Sequence, residues 1–376
     1  MSKAGLGLWR AVGLMSGTSG DGIDAALIET DGEGVVRCGP SLTEPYDPAF
    51  RARLRAAFGG WERTPEIAAL EAELTRRHAD AVARLLAAAG VDATAVDIVG
   101  FHGQTLSHDA ARGRSWQIGD GSLLAALTGI DVVFDLRSAD LEAGGQGAPL
   151  VPVYHQALAA GLPRPLAVVN IGGVANVTWL PEAGSPIAFD TGPGNGPIDD
   201  WAARHGGDSC DRDGALAAAG RPDEARLARW LSDPWFRRPA PKSLDRGDFA
   251  GLDVGGLSAA DGAATLTAFT ARSIARAAEH FPAPPVRWLV TGGGRHNPSL
   301  MAALAGAVEA PVVPVEAVGW DGDALEAQAF AYLAVRSRRG LPLTFPGTTG
   351  VPRPTCGGRF APAARAQAIS ERRSSR

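Results

Sequence analysis

The sequence predicts an α/β protein of two domains, each opened by a β-hairpin. Three observations lead there. The chain has 376 residues, and at ~150 residues per domain that length builds two cores. Short apolar runs alternate along it with longer stretches of helical spacing, which favours mixed α/β domains. A strand, glycine turn, strand pattern then occurs twice, around Gly17 to Gly22 and again around Gly172-Gly173. The halves therefore read as an internal pseudo-repeat.

In the first hairpin, Ala11 to Met15 and Ile23 to Ile28 are the strand-like runs. Between them Gly17, Gly20 and Gly22 let backbone N–H groups approach a ligand, while Ser16, Thr18 and Ser19 add hydroxyl donors. Such a turn suits a phosphate, with Asp21 and Asp24 able to hold a metal ion; a plain surface hairpin is the competing reading. Pro48 to Phe58 and Thr64 to Ala89 read as helices. The second rests on Ile67, Leu70, Leu74, Val82, Leu85 and Leu86, with Thr64-Pro65 as N-cap and first turn. Ile98 to Phe101 is a short strand leading into His102-Gly103-Gln104-Thr105. Ser122 to Thr128 is helical, and the strand Asp131 to Phe134 ends at Asp135 and Arg137. Gly144-Gly145-Gln146-Gly147 reads as a crossing between domains.

The second half opens with Leu166 to Ile171, turns at Gly172-Gly173 and returns as Ala175 to Leu180. A third strand, Ile187 to Phe189, ends at Asp190-Thr-Gly-Pro-Gly-Asn195, with a helix from about Pro197. Ala259 to His280 is a long helix, and Val286 to Thr291 a strand running into Gly292-Gly293-Gly294 before a helix from about Asn297. Asp323 to Arg336 is the last long helix. Beyond Arg359, Ala, Arg and Ser dominate with little to bury, the composition of a loose tail.

Composition excludes several classes. Hydrophobic residues make up 45% and charged ones 20%, as in a soluble globular protein. The net charge of −5 lacks the basic footprint of nucleic-acid binding. No apolar run approaches the ~20 residues a membrane helix needs, and the N-terminus lacks a signal peptide's apolar core. Cys38, Cys210 and Cys356 are odd in number and far apart, which fits a reducing compartment, hence the cytoplasm, and no zinc cluster. Only Lys3 and Lys242 among 36 basic residues are lysine, so an interior lysine kept for its compact charge competes with chance. Neither a Walker segment nor a Gly-x-Gly-x-x-Gly after a strand is present.

Taken together, GLMSGTSGDGID (13–24), HGQT (102–105), QIGDG (117–121) and NIGGVANVTWL (170–180) form one pattern. FDTGPGN (189–195), PKS (241–243), GGGRHNPSLM (292–301) and GDALEAQAFA (322–331) complete it. The chain resembles the anhydro-N-acetylmuramic acid kinases of cell-wall recycling, from about residue 10 to 360. The resemblance implies two actin-like ATPase (ribonuclease H-like) domains with a nucleotide cleft between them. Domain I would span 1–137 plus about 337–360, domain II 138–336, and the tail 361–376. It also implies ATP with Mg²⁺, a cytoplasmic location and a homodimer. Gly20 departs from the family's usual apolar residue, which would loosen the phosphate loop, and Leu244 to Asp248 departs after the Pro-Lys-Ser.

The implied reaction opens 1,6-anhydro-N-acetylmuramic acid and phosphorylates O6 to give N-acetylmuramic acid 6-phosphate and ADP. Asp190 would be the base that activates water; the alternative is a cap of the next helix. Gly17, Thr18, Ser19, Gly20, Asp21, Gly22, Ile23 and Asp24 would hold the β- and γ-phosphates, with Asp21 or Asp24 reaching Mg²⁺. Gly172 and Gly173 would oppose them, or form a hairpin without ligand. Gly292, Gly293 and Gly294 would let adenosine approach, or make an ordinary strand-to-helix turn. For the sugar, Gln104 and Thr105 offer hydrogen bonds, Arg137 a partner for the lactyl carboxylate, and Glu326 a carboxylate facing the cleft. A solvent-exposed role competes for Arg137 and Glu326. His102 reads as a structural donor more than a base, Asp120 as substrate-linked or a helix cap, and Lys242 as lying near phosphates or the cleft mouth. Rival readings are another sugar or acid kinase of the superfamily, a chaperone or filament-type ATPase, and a glycosidase.

Overall fold

Strand β1 (Trp9–Ser16) buries Ala11, Val12 and Leu14 and turns into β2 (Gly22–Thr30), its antiparallel partner from Trp9↔Thr30 to Met15↔Asp24. β3 (Val36–Pro45) extends the meander on β2. β4 (Ile98–Asp109) lies parallel to β1 on its other side, β5 (Arg114–Ile118) folds back on β4, and β6 (Val132–Phe134) runs parallel to β4. The second half repeats the scheme with β7 (Leu166–Ile171), β8 (Val174–Leu180), β9 (Ile187–Pro193), β10 (Trp288–Thr291) and β11 (Val312–Pro314). Last comes β12 (Arg359–Ala361), antiparallel to β6.

The resulting orders are β12-β6-β4-β1-β2-β3, with β5 on β4, and β11-β10-β7-β8-β9. Hairpin, antiparallel third strand and two parallel strands on the far side recur in the same order and direction. The pseudo-repeat is thus a repeat of topology, and both sheets are mixed parallel and antiparallel sheets of an α/β fold.

The computed structural model describes residues 7–34, 36–205, 209–244, 249 and 251–363. The chain divides into one unit of Met1–Gly147, Ala324–Thr344 and Arg353–Arg376, and a second of Ala148–Asp323 and Phe345–Pro352. The first boundary falls at 147/148 instead of 137/138, Phe345–Pro352 joins the second unit, and the boundary expected at 336/337 moves to 323/324 because the helix Leu325–Arg338 belongs with the first sheet. Two glycines explain its docking: a Cβ at Gly13 would fall 1.8 Å from the Ala327 carbonyl oxygen, and one at Gly100 2.0 Å from that of Phe330. The helix backbone rests directly on β1 and β4, which only a residue without a side chain permits.

Phe50, Leu54, Leu74, Leu85 and Phe101 pack under the first sheet with Val12 and Leu14. In the second unit Val169, Ile171, Phe189, Ile274 and Trp288 form one cluster, and Ile198, Trp201, Trp235, Phe236 and Phe269 another. The helix Pro65–Ala89 starts at Thr64, whose hydroxyl accepts from Ile67 N, as its sequence signals. Several expectations need correcting. β3, β5 and β11 carry no strong alternation and were not foreseen. β4 continues through His102–Thr105 because β5 pairs with that stretch. β9 runs past Asp190 to Pro193. The loose tail cannot begin at Arg359, since Arg359–Ala361 form a strand and Ala361 is buried; 364–376 lie outside the described residues, as do 245–248. Among the described residues no helix is long and apolar enough to cross a membrane.

Candidate active site

The turn between β1 and β2 is built from behind. Ser16 is fully buried, its Oγ 2.9 Å from the Gly22 carbonyl oxygen, 2.9 Å from the Tyr46 hydroxyl and 2.6 Å from Gln104 Oε1. Gln104 Nε2 donates in turn to the Gly17 carbonyl at 2.9 Å, and Gly20 N closes the turn on the same oxygen at 3.0 Å. Burial pushes the Tyr46 phenol above its ordinary range, so it stays neutral. This corrects the role expected of Gln104. Its amide is matched at both ends inside the hairpin and none of its surface is exposed, so it braces the loop and has no face for a sugar. Gly20 sits at φ +57°, a left-handed conformation that glycine takes without strain.

On the rim, Asp21 accepts from Ser19 Oγ at 2.7 Å and Asp24 from Thr43 Oγ1 at 2.6 Å. The described residues contain no cluster of three or more His, Cys, Asp or Glu able to hold a metal. Two carboxylates nonetheless suit Mg²⁺, which keeps several waters and binds through one or two carboxylates plus phosphate oxygens.

A second cluster in the first unit centres on Arg137. Its Nη1 donates to the Gly147 carbonyl at 2.7 Å and its Nη2 to His102 Nε2 at 2.9 Å. His102 Nδ1, 2.8 Å from the Gly103 carbonyl, is then the protonated nitrogen. Burial, and next the Arg137 charge, hold His102 well below its ordinary value, so it is a neutral acceptor that orients Arg137 and not a base. Burial draws Arg137 down to about 10, while the Glu326 and Asp140 carboxylates pull it back up. It remains a cation, and its buried Nε has no partner among the described residues. Glu326, half-buried in the first turn of Leu325–Arg338, thus acts electrostatically on Arg137. Thr105, half-buried, accepts from Gln117 Nε2 at 3.1 Å. Asp120 is a helix cap, its Oδ1 accepting from Ser122 N and Leu123 N.

In the second unit Asp190 lies mid-strand and half-buried. Its N donates to the Lys242 carbonyl at 2.9 Å, and Leu244 N donates to its Oδ2 at 2.7 Å. It lies in β9, before the helix Gly196–His205 begins. Turn Gly172-Gly173 meets the loop after β9: Asn195 N donates to the Gly172 carbonyl at 2.7 Å and Gly194 N to that of Gly173 at 3.0 Å. Past β10, a Cβ on Gly292 (φ +75°) would meet Asn170 Oδ1 at 2.3 Å, and one on Gly294 would meet Ile171 at 2.5 Å. Only Gly293 faces relatively open space, its nearest contact Asn195 Nδ2 at 3.6 Å. Lys242 is engaged by backbone carbonyls of its own unit. Its Nζ is buried, donating to the Phe236 carbonyl at 2.9 Å, and burial lowers it to about 8.

Two residues have roles that the sequence did not reveal. Arg295 is buried, paired at 2.8 Å with both Glu316 and Asp323, and donates to the Gly292 carbonyl at 2.9 Å, steadying the triple-glycine turn. Asp135 takes φ +48° at the end of β6, two residues before Arg137. A non-glycine residue there is strained, and such strain gathers at functional sites; no sequence signal marks it.

A family model described as anhydro-N-acetylmuramic acid kinase matches residues 9–363. The protein of that name from Rhodospirillum rubrum is 60% identical over 357 residues, covering 94% of each chain. That from Acidiphilium cryptum is also 60% identical over 357 residues, covering 93% of this chain and 97% of its own. Among solved structures, the activator of 2-hydroxyisocaproyl-CoA dehydratase from Clostridium difficile with bound ADPNP aligns at 12% identity and TM-score 0.44, over 88% of this chain and 96% of its own. A ROK family glucokinase from Streptomyces griseus in complex with glucose and AMPPNP aligns at 15% and 0.41, over 86% and 99%. With a family-model match over residues 9–363 and relatives 60% identical over nearly its whole length, the chain belongs to the anhydro-N-acetylmuramic acid kinase family.

Proposed function

We propose that this protein hydrolytically opens 1,6-anhydro-N-acetylmuramic acid and phosphorylates its O6 with ATP, giving N-acetylmuramic acid 6-phosphate and ADP in peptidoglycan recycling. The observation that carries the reading is the family match over residues 9–363 with relatives at 60% identity. Asp190 takes a proton from water, and the resulting hydroxide forms a bond to C1. The C1–O6 bond breaks, O6 bonds to the γ-phosphorus, and the bond to the β-phosphate oxygen breaks to release ADP. Ordinary glycoside hydrolysis uses a second carboxyl group as acid; here the phosphoryl group absorbs the charge on the leaving oxygen, so one carboxylate suffices. The Leu244 N–H on Oδ2 supports the role by fixing the carboxylate's aim.

Gly17 to Asp24 and the turn Gly172-Gly173 hold phosphates, Gly293 lets the adenosine approach backbone, and Asp21 and Asp24 hold Mg²⁺, which neutralises phosphate charge when bound. Arg137 takes the lactyl carboxylate: among the described residues, partners engage two of its five N–H groups and leave Nε without one. Thr105 and Glu326 contact the sugar. The location is cytoplasmic, in keeping with three free cysteines, and the assembly is a homodimer, measurable by light scattering. Incubation with the anhydro sugar and Mg-ATP, then mass analysis, tests the reaction. A gain of one phosphate plus one water is expected; a gain of water alone without ATP use, or ATP hydrolysis without a sugar product, overturns it.

A further inference from the structure

Lys242 is the one lysine among the described residues, since Lys3 lies outside them. Its Nζ lies 2.9 Å from the Phe236 carbonyl oxygen, 3.5 Å from that of Trp235 and 3.1 Å from His280 Nε2. It also stands 4.4 Å from the Trp235 ring centroid and 5.6 Å from that of Phe189. A buried cation needs such compensation, because an unpaired charge away from water is costly. What it holds still is specific. Phe189 is the chain neighbour of Asp190, the Lys242 carbonyl accepts from Asp190 N, and Leu244 N donates to Asp190 Oδ2. The same residue thus anchors one end of the short segment that grips the Asp190 carboxylate.

We infer that Lys242 is a positioning residue for the reaction: its caged ammonium pins residues 242–244 beside β9 and so aims the Asp190 carboxylate at the water it activates. The inference rests on Asp190 being the base. A compact ammonium suits the cage; a planar guanidinium, the cation this chain uses elsewhere, would have to displace the ring or the carbonyls. Catalytic groups must be held within fractions of an ångström, and a misplacement of about 1 Å can cost ~10²-fold.

The test is a double-mutant cycle on the full-length protein, using anhydro-N-acetylmuramic acid, Mg-ATP and mass detection of the phosphorylated sugar. Lys242→Met fills the cage without charge and is expected to lower kcat by roughly 10- to 100-fold while leaving the KM for ATP within about twofold. In the Asp190→Asn background the same change should cost less than about twofold, since there is no base left to aim. An equal loss in both backgrounds overturns the inference, as does an unchanged kcat in Lys242→Met. Lys242→Gln, which can still donate to the Phe236 carbonyl, is expected to recover part of the rate. If both Lys242 variants fail to fold, the residue supports the fold instead and the inference falls. Full turnover in Asp190→Asn alone removes the base reading itself, a result independent of any Lys242 variant.

Discussion

At Asp190 the carboxylate is presented by backbone on both sides: its own N–H to Lys242 and its Oδ2 to Leu244. Because neither contact depends on its negative charge for folding, Asp190→Asn is expected to fold and to bind ATP. General-base assistance is typically worth ~10²–10⁴-fold, so turnover should fall by at least ~10². Steady-state assay beside a binding titration checks both halves, and wild-type turnover in a folded variant refutes the assignment. Gln104 leads to a different expectation. Gln104→Leu removes one hydrogen bond each from Ser16 Oγ and the Gly17 carbonyl, both of which keep other partners, a loss of about 0.5–1.5 kcal/mol per bond. The KM for ATP should rise, with that for the sugar little changed; the reverse pattern would return Gln104 to the sugar site. The motif HGQT was legible in the sequence, but which way its amide points was not, because a side chain's direction along a strand depends on the partner strands beside it.

Elements stand or fall on how closely they approach. The helix Leu325–Arg338 sits on β1 and β4 only because Gly13 and Gly100 offer bare backbone. Gly100→Val would drive a side chain into the Phe330 carbonyl, and overpacking of this kind typically costs ~1–3 kcal/mol or more. A marked fall in melting temperature is expected, measurable by circular dichroism. Thr64→Ala, which removes the N-cap of Pro65–Ala89, should cost only about 1 kcal/mol. That helix was readable to the residue, because capping and apolar spacing are local. β5 and β11 were not, since neither Arg114–Ile118 nor Val312–Pro314 alternates and each is a strand by virtue of its neighbour.

For the whole molecule, buried neutral histidines set the acid response. Burial brings His78 down to about 4 and His155 to about 3, and His102 also lies well below the ordinary value. Their folded-state values lie below the unfolded value of about 6.5, so between these limits the unfolded chain binds more protons. Stability is therefore fully present above about pH 6.5 and is lost as pH falls toward 4. Urea midpoints at neutral pH and near pH 5 should show a clear decline, above the range where the lowered carboxylates such as Asp47 and Glu73 titrate. A flat midpoint would mean that these rings are charged, or solvated, in the fold.

By itself the sequence determined the α/β class, the duplicated hairpins and the glycine turns, because turn chemistry, capping and periodicity act within a few residues; Asp190 stood out only through the family motif. Only the tertiary structure decided that Gln104 faces into the hairpin, that His102 serves Arg137, that Lys242 lies caged beneath Asp190, and that the last long helix joins the first sheet. Each of these depends on residues dozens to hundreds of positions apart meeting at van der Waals or hydrogen-bond distance, and no local pattern encodes such a meeting.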